Sequence, residues 1–198
     1  MKVIAATKNK GKIKEIQTVF RTLGIEVISQ GDIDINVDIE ETGKTFEKNA
    51  LIKAHAVSLM CDDPVLADDS GLCVEALEGR PGVYSARYAG EDATDADRMQ
   101  KLLMELEGQK NRKAKFVTVV AFILPDGRQI TASGEVQGRI TLEPRGDGGF
   151  GYDPIFFCDE LNKTFGEATG EEKNSVSHRS RALQNLYGKL EAMIENNR

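Results

Sequence analysis

Asp68 and Asp69 stand side by side in the run ADDSGL at 67–72, and adjacent carboxylates followed by Ser70 and a glycine supply hard oxygen ligands of the kind magnesium takes. TKNKGK at 7–12 offers Thr7, Asn9, Lys10, Gly11 and Lys12: small polar groups, two ammonium groups and a glycine that lets an anion approach the backbone. GGFGYDP at 148–154 joins Gly148, Gly149 and Gly151 to the flat ring of Phe150, to Tyr152, and to Asp153, which Pro154 holds out of helical conformation. SHR at 177–179 contributes His178 and Arg179, donors suited to a ring edge that carries oxygen. Anion, hard cation and flat ring together describe a nucleotide site. Each stretch alone has a plainer reading: an acidic turn, a solvated connection, a core aromatic, a surface ion pair.

The elements that must position these residues follow from the pattern of apolar positions. Val3–Ala6 reads as a buried strand, followed by the polar loop and an amphipathic helix with Ile13, Ile16, Phe20 and Leu23 at helical spacing, ended by Gly24. Strand, polar loop and helix N-terminus make an anion site, with Lys12 in the first turn. A second helix is predicted over 42–60, with Phe46, Ala50, Leu51, Ala54 and Val57 toward the core and Lys53 turned toward the acidic run Asp32, Asp34, Asp38, Glu40 and Glu41. Val65–Ala67 reads as a short strand that ends in the two aspartates, and residues 78–92 as an ordered loop over a site or a partner surface. Thr94 and Asp97 cap a third helix, Phe116–Leu124 and Gln129–Val136 form a hairpin around Pro125-Asp126-Gly127, and a last helix runs from about Ser177 to Ile194.

A chain of 198 residues with 40% hydrophobic and 29% charged positions is long enough for one domain with a substantial core, expected to span 1–198. No run approaches the roughly 20 apolar residues that cross a bilayer, and the start MKVIAAT is too short for a secretory apolar segment, so a cytoplasmic address and no membrane partner are expected. Three cysteines without CxxC spacing suggest packing rather than disulfides or zinc. A net charge of −6 argues against broad nucleic-acid binding.

Two motif matches fail on context. Gly146, Gly148 and Gly151 spell GxGxxG, but Pro154 and β-forming residues follow where a dinucleotide site needs a helix. Gly43-Lys44-Thr45 ends like a phosphate loop whose leading glycine would have to be Asp38. His55, the only histidine besides His178, is expected on a helix surface.

Taken in order, TKNKGK (7–12), EETGKTFEKNALIKA (40–54), LADDSGL (66–72), PGVYSARYAG (81–90), GGFGYDPIFF (148–157) and EEKNSVSHRSRAL (171–183) resemble the inosine/xanthosine triphosphate pyrophosphatase family over nearly the whole chain. The resemblance implies a mixed α/β fold with a curved central sheet, flanking helices and two lobes around a central cleft, in a homodimer. It implies magnesium-dependent hydrolysis of deaminated purine nucleoside triphosphates between the α- and β-phosphates, giving the monophosphate and pyrophosphate and clearing such nucleotides from the pool. Carried onto this sequence, Thr7, Asn9, Lys10, Gly11, Lys12 and Ser70 would hold the triphosphate, with Lys53 and Lys173 offsetting charge on the phosphates. Glu40 and Asp69 would carry Mg2+. Asp69 would be the general base with Asp68 in support, Lys53 an alternative activator, and Glu15 would stand behind them. Phe150 would stack on the purine, within the loop of Gly151 and Tyr152, while Asp153, His178 and Arg179 read its edge.

Two alternatives stay open at this level. A related pyrophosphatase acting on pyrimidine or modified nucleotides would share the phosphate and metal residues without needing His178-Arg179. A nucleotide- or RNA-binding regulator without turnover would bind in the absence of magnesium.

Overall fold

The computed structural model describes residues 2–37 and 39–195. Asp38, one of the acidic run, lies outside the described residues. Seven strands form one mixed sheet in the order β2-β1-β3-β4-β5-β6-β7, with α-helices between and after them, which is the mixed α/β class expected. The chain divides into two compact units, one of residues up to Asp69, Thr118–Gly134 and the segment from Arg179 on, the other of Ser70–Val117 and Glu135–His178.

In the first unit β1 (Lys2–Ala5) pairs in parallel with β2 (Glu26–Ser29) and with β3 (Val65–Val74). Its apolar run is buried on both faces, as a central parallel strand requires. Val3 and Ala5 meet α1 (Lys10–Thr22) and α5 (His178–Glu195) through Ile16, Phe20, Ala182, Leu183 and Leu186. Ile4 and Ala6 face α2 (Phe46–Ser58) through Ala50, Ala54 and Val57. Side chains alternate across a strand, so this one strand separates two helical layers. Asn9 caps α1 by accepting from the Lys12 amide at 3.1 Å, and Gly24, at φ +68°, follows its end as expected.

Several elements differ from expectation. α2 begins at Phe46, not Thr42, because Thr45 caps it through the Lys48 amide and the Gly43 amide donates to Asn49 Oδ1 at 2.7 Å, which holds the preceding segment away from the helix. Phe46 is consequently half-buried rather than in the core. β3 does not stop at Ala67 but runs ten residues through both aspartates to Val74. A helix not expected at all, α4 (Gly170–Val176), is announced by a capping box between Thr169 and Glu172.

The second unit packs α3 (Asp95–Glu105), capped by Thr94 and Asp97 as expected, with residues of β3, β4 (Lys113–Ile123), β5 (Gln129–Ile140), β6 (Phe156–Cys158) and β7 (Lys163–Thr164). The β4–β5 hairpin is present and longer than its sequence signal, with Leu124 and Arg128 closing the turn. Phe116, Phe156 and Phe165 form an aromatic cluster, with ring centroids 4.6 Å apart between Phe116 and Phe156. Among the described residues no helix is long and apolar enough to cross a membrane.

Candidate active site

Because β3 continues through Asp68 and Asp69, the two carboxylates cannot share one side. Asp68 follows Leu66 onto the α1/α5 face, and Asp69 follows Ala67 onto the α2 face. The spacing of residues on three helices then decides what each carboxylate meets.

Asp68, 1% exposed, accepts from Lys12 Nζ at 3.1 Å and from Arg179 Nε and Nη2 at 3.2 and 3.1 Å. Arg179, itself 1% exposed, also bonds Glu15, one turn beyond Lys12 on the same face of α1. Burial would raise the Asp68 carboxyl, but Lys12, Arg179 and Lys53 outweigh it and hold the group well below the usual carboxylate range. Burial lowers the Lys12 ammonium despite Asp68. Arg179 is raised, the pull of Asp68 and Glu15 exceeding its burial.

On the other face Asn49 donates to Asp69 Oδ2 at 3.0 Å, and Lys53, one turn later on α2, stands 2.7 Å from Glu41 Oε1 and 3.5 Å from Asp69 Oδ1. Asp69 is raised, chiefly by burial, with Lys53 opposing and Glu41 reinforcing. Lys53 is raised as well: burial lowers it, and Asp69, Asp68 and Glu41 more than compensate. Lys53 turns toward the acidic run as expected, but the carboxylate it meets there is Glu41, while Glu40 is exposed. Thr7 accepts from the Asn9 amide at 3.2 Å, Lys10 is exposed, and Gly11 lies in the first turn of α1.

In the second unit the GGFGYDP loop is built around Asp153, which is 2% exposed. Its carboxylate accepts from the Phe150 amide at 2.9 Å and from Lys173 Nζ at 2.6 Å, and Lys173 lies over the Phe150 ring at 4.6 Å from the centroid. Gly149, at φ +74°, leaves no room for a methyl group, since a Cβ there would meet Asp153 Oδ2 at 2.1 Å. Tyr152 is buried with its hydroxyl donating to Ser85 O at 2.9 Å, and burial raises its phenol. His178 is buried and stacked on Phe116, ring centroids 4.7 Å apart. Ser70 is half-buried in β3.

Several of the expected ligand-binding residues have protein partners in the structure. Arg179 was expected on the base edge beside His178, yet its guanidinium is taken up by Asp68 and Glu15. Lys173 was expected among the phosphate ligands and Asp153 on the base edge, yet the two form a buried ion pair beneath Phe150. Asn49 was not singled out and Glu41 was named only within the acidic run, although Asn49 and Lys53 share a helix face four residues apart, a spacing visible in the sequence. His55 is exposed on α2, as expected, with Nε2 3.0 Å from Gln129 Oε1.

The Ham1 family model matches residues 3–189. The chain belongs to the Ham1 family. Among its relatives, the dITP/XTP pyrophosphatase of Bacillus licheniformis is 48% identical over 96% of this chain and 97% of its own length. That of Thermoanaerobacter pseudethanolicus is 50% identical over 98% and 99%. The solved Ham1 protein of Staphylococcus aureus superposes with a TM-score of 0.86 at 40% identity, covering 98% of this chain and all of that one. The family resemblance read from the six motifs is thereby borne out.

Proposed function

We propose that this Ham1 protein hydrolyses deaminated purine nucleoside triphosphates, those of inosine, deoxyinosine and xanthosine, to the monophosphate and pyrophosphate. The observation that carries the reading is the division of charge across β3: an Asp68–Lys12–Arg179 cluster on one face and Asp69 with Lys53 and Glu41 on the other. The near full-length relatives named dITP/XTP pyrophosphatase support it.

In this proposal Thr7, Asn9, Lys10, Gly11, Lys12 and Ser70 receive phosphate oxygens, the α1 N-terminus adding its free amides. Asp69 takes a proton from the attacking water as the water oxygen bonds to phosphorus. The α–β anhydride breaks, and pyrophosphate leaves with the bonding pair. Asn49 and Lys53 hold the Asp69 carboxylate in one orientation, which suits it to that step. Lys53 offsets the charge that grows on the phosphoryl oxygens. Asp68 orients Lys12 and Arg179 and does not itself react.

Magnesium fits the residues present. Asp69 and Glu41 both approach the Lys53 ammonium, a pair of hard oxygen donors, and magnesium is commonly held by one or two carboxylates with substrate phosphates and water completing its shell. Asp69 and Glu41, with Glu40 next to it, are the residues that would hold the ion. When bound, magnesium would polarise the phosphoryl oxygen.

Phe150 would stack on the purine, with Gly151, Tyr152 and Asp153 shaping its loop, and His178 would read the 6-oxo edge. Lys173 would offset charge on the phosphates and, lying over Phe150, would also set that ring. Residues 1–198 would act as one domain, in a cytoplasmic homodimer. The test is pyrophosphate release from inosine, xanthosine, adenosine, guanosine and uridine triphosphates with magnesium or with excess chelator. Magnesium-dependent release led by inosine and xanthosine is expected. A uridine preference, orthophosphate as product, or release unaffected by chelator would each overturn the corresponding part.

A further inference from the structure

We propose that Asp95, at the start of α3, is a positioning residue for base recognition by the Phe150 loop, an inference that rests on the function proposed above. The loop is held at two successive amides. Phe150 N–H goes to Asp153, and Gly151 N–H goes to Asp95 Oδ2 at 2.7 Å. The second bond fixes the peptide plane that leaves Phe150 at a residue whose φ of +64° belongs to the left-handed region. From within the loop the same plane is held by the Asp153 amide donating to Phe150 O at 3.3 Å, a longer bond than the one to Asp95, and a Cβ on Gly151 would touch nothing within 4 Å.

Asp95 is in turn clamped. Its Oδ1 bonds Arg98, one turn along α3, and Arg98 Nη1 reaches Ala86 O at 2.7 Å and Ala93 O at 2.6 Å. The segment over 82–93 is thus tied to the Phe150 loop through Arg98 and Asp95, and a second time through Tyr152 and Ser85 O. An exposed helix-capping turn does not require an aspartate whose two oxygens serve two different chain segments. A loop that must present one aromatic face in one orientation does, since a charge-assisted hydrogen bond to a backbone amide holds it in place before the ligand arrives.

The deciding experiment is a double-mutant cycle of Asp95→Ala and Phe150→Ala, read as KM and kcat for inosine triphosphate. Asp95→Ala is expected to raise KM about 10-fold with kcat changed less than about twofold, and to add little when Phe150 is already alanine. Amide hydrogen exchange at Gly151 should rise in Asp95→Ala, and Asp95→Asn, which keeps an acceptor, should recover part of KM. Asp95→Asn also serves as the working variant if circular dichroism shows that Asp95→Ala is unfolded. Additive effects, an unchanged Gly151 amide, or a loss confined to kcat would overturn the inference while leaving the function standing. Wild-type protein that releases no pyrophosphate from inosine triphosphate would overturn both.

Discussion

The charged cluster of the first unit and the aromatic loop of the second solve opposite problems. Around Asp68 and Asp69 the difficulty is to keep ionised groups in a buried strand, and it is met by pairing each carboxylate with cations from a different helix. Around Phe150 the difficulty is to hold a glycine-rich backbone still, and it is met by carboxylates that accept from backbone amides, with Lys173 between Asp153 and the ring. The first region would lose chemistry or stability when a charge is removed. The second would lose orientation, and with it affinity for the base.

The largest effect expected from that contrast is in Asp69→Asn, which keeps the size of the side chain and removes the proton acceptor. A fall in kcat of about 10³-fold, within the usual range for general base catalysis, should appear in pyrophosphate release, and near-normal turnover would remove Asp69 from the mechanism.

Asp68→Ala should act on the fold instead. It removes the carboxylate that Lys12 and Arg179 share, and truncating one member of a buried ion pair commonly costs about 3–5 kcal/mol, measurable as a shift of the denaturant midpoint. A midpoint within experimental error of wild type would break the contrast at its charged end.

Phe150→Ala should raise KM for inosine triphosphate by the 1–3 kcal/mol that base stacking on an aromatic side chain contributes, about 5- to 150-fold, with the midpoint little changed. An effect confined to stability would make Phe150 a packing residue.

The smallest effect is in pH dependence, and its sign separates the neighbours. The lowered Asp68 group contributes stability that is present above its unfolded value, about 3.9, and is lost as pH falls toward its folded one. Raised Asp69 has the opposite sign: the folded chain keeps its proton to higher pH, so its burial costs stability as pH rises through that interval and relieves the loss on acidification. Denaturant midpoints between pH 6 and pH 3 should fall less steeply in Asp68→Asn than in wild type, and more steeply in Asp69→Asn.

Much of this arrangement was legible from local pattern. The buried strand β1, the Asn9-capped α1, the Thr94–Asp97 capping box and the β4–β5 hairpin each follow from signals within a few residues. The Thr169–Glu172 capping box of α4 was equally readable and lay hidden in a stretch that looks polar and irregular. The extension of β3 through Asp68 and Asp69 was not readable, because acidic residues disfavour strands unless cations arrive from elsewhere, and Lys12, Lys53 and Arg179 come from three different helices.

By itself the sequence determined which residue types stand ready for phosphate, metal and base, and which local elements carry them, since caps, turns and helical spacing act over only a few residues. Only the tertiary structure decided their partners. It assigned Arg179 to Asp68 and Glu15, Lys173 to Asp153 and Phe150, and Lys53 to Glu41 rather than Glu40. The reason is that burying a charge makes its partner obligatory, and the nearest opposite charge across a packed core is set by strand parity and helix register, not by distance along the chain.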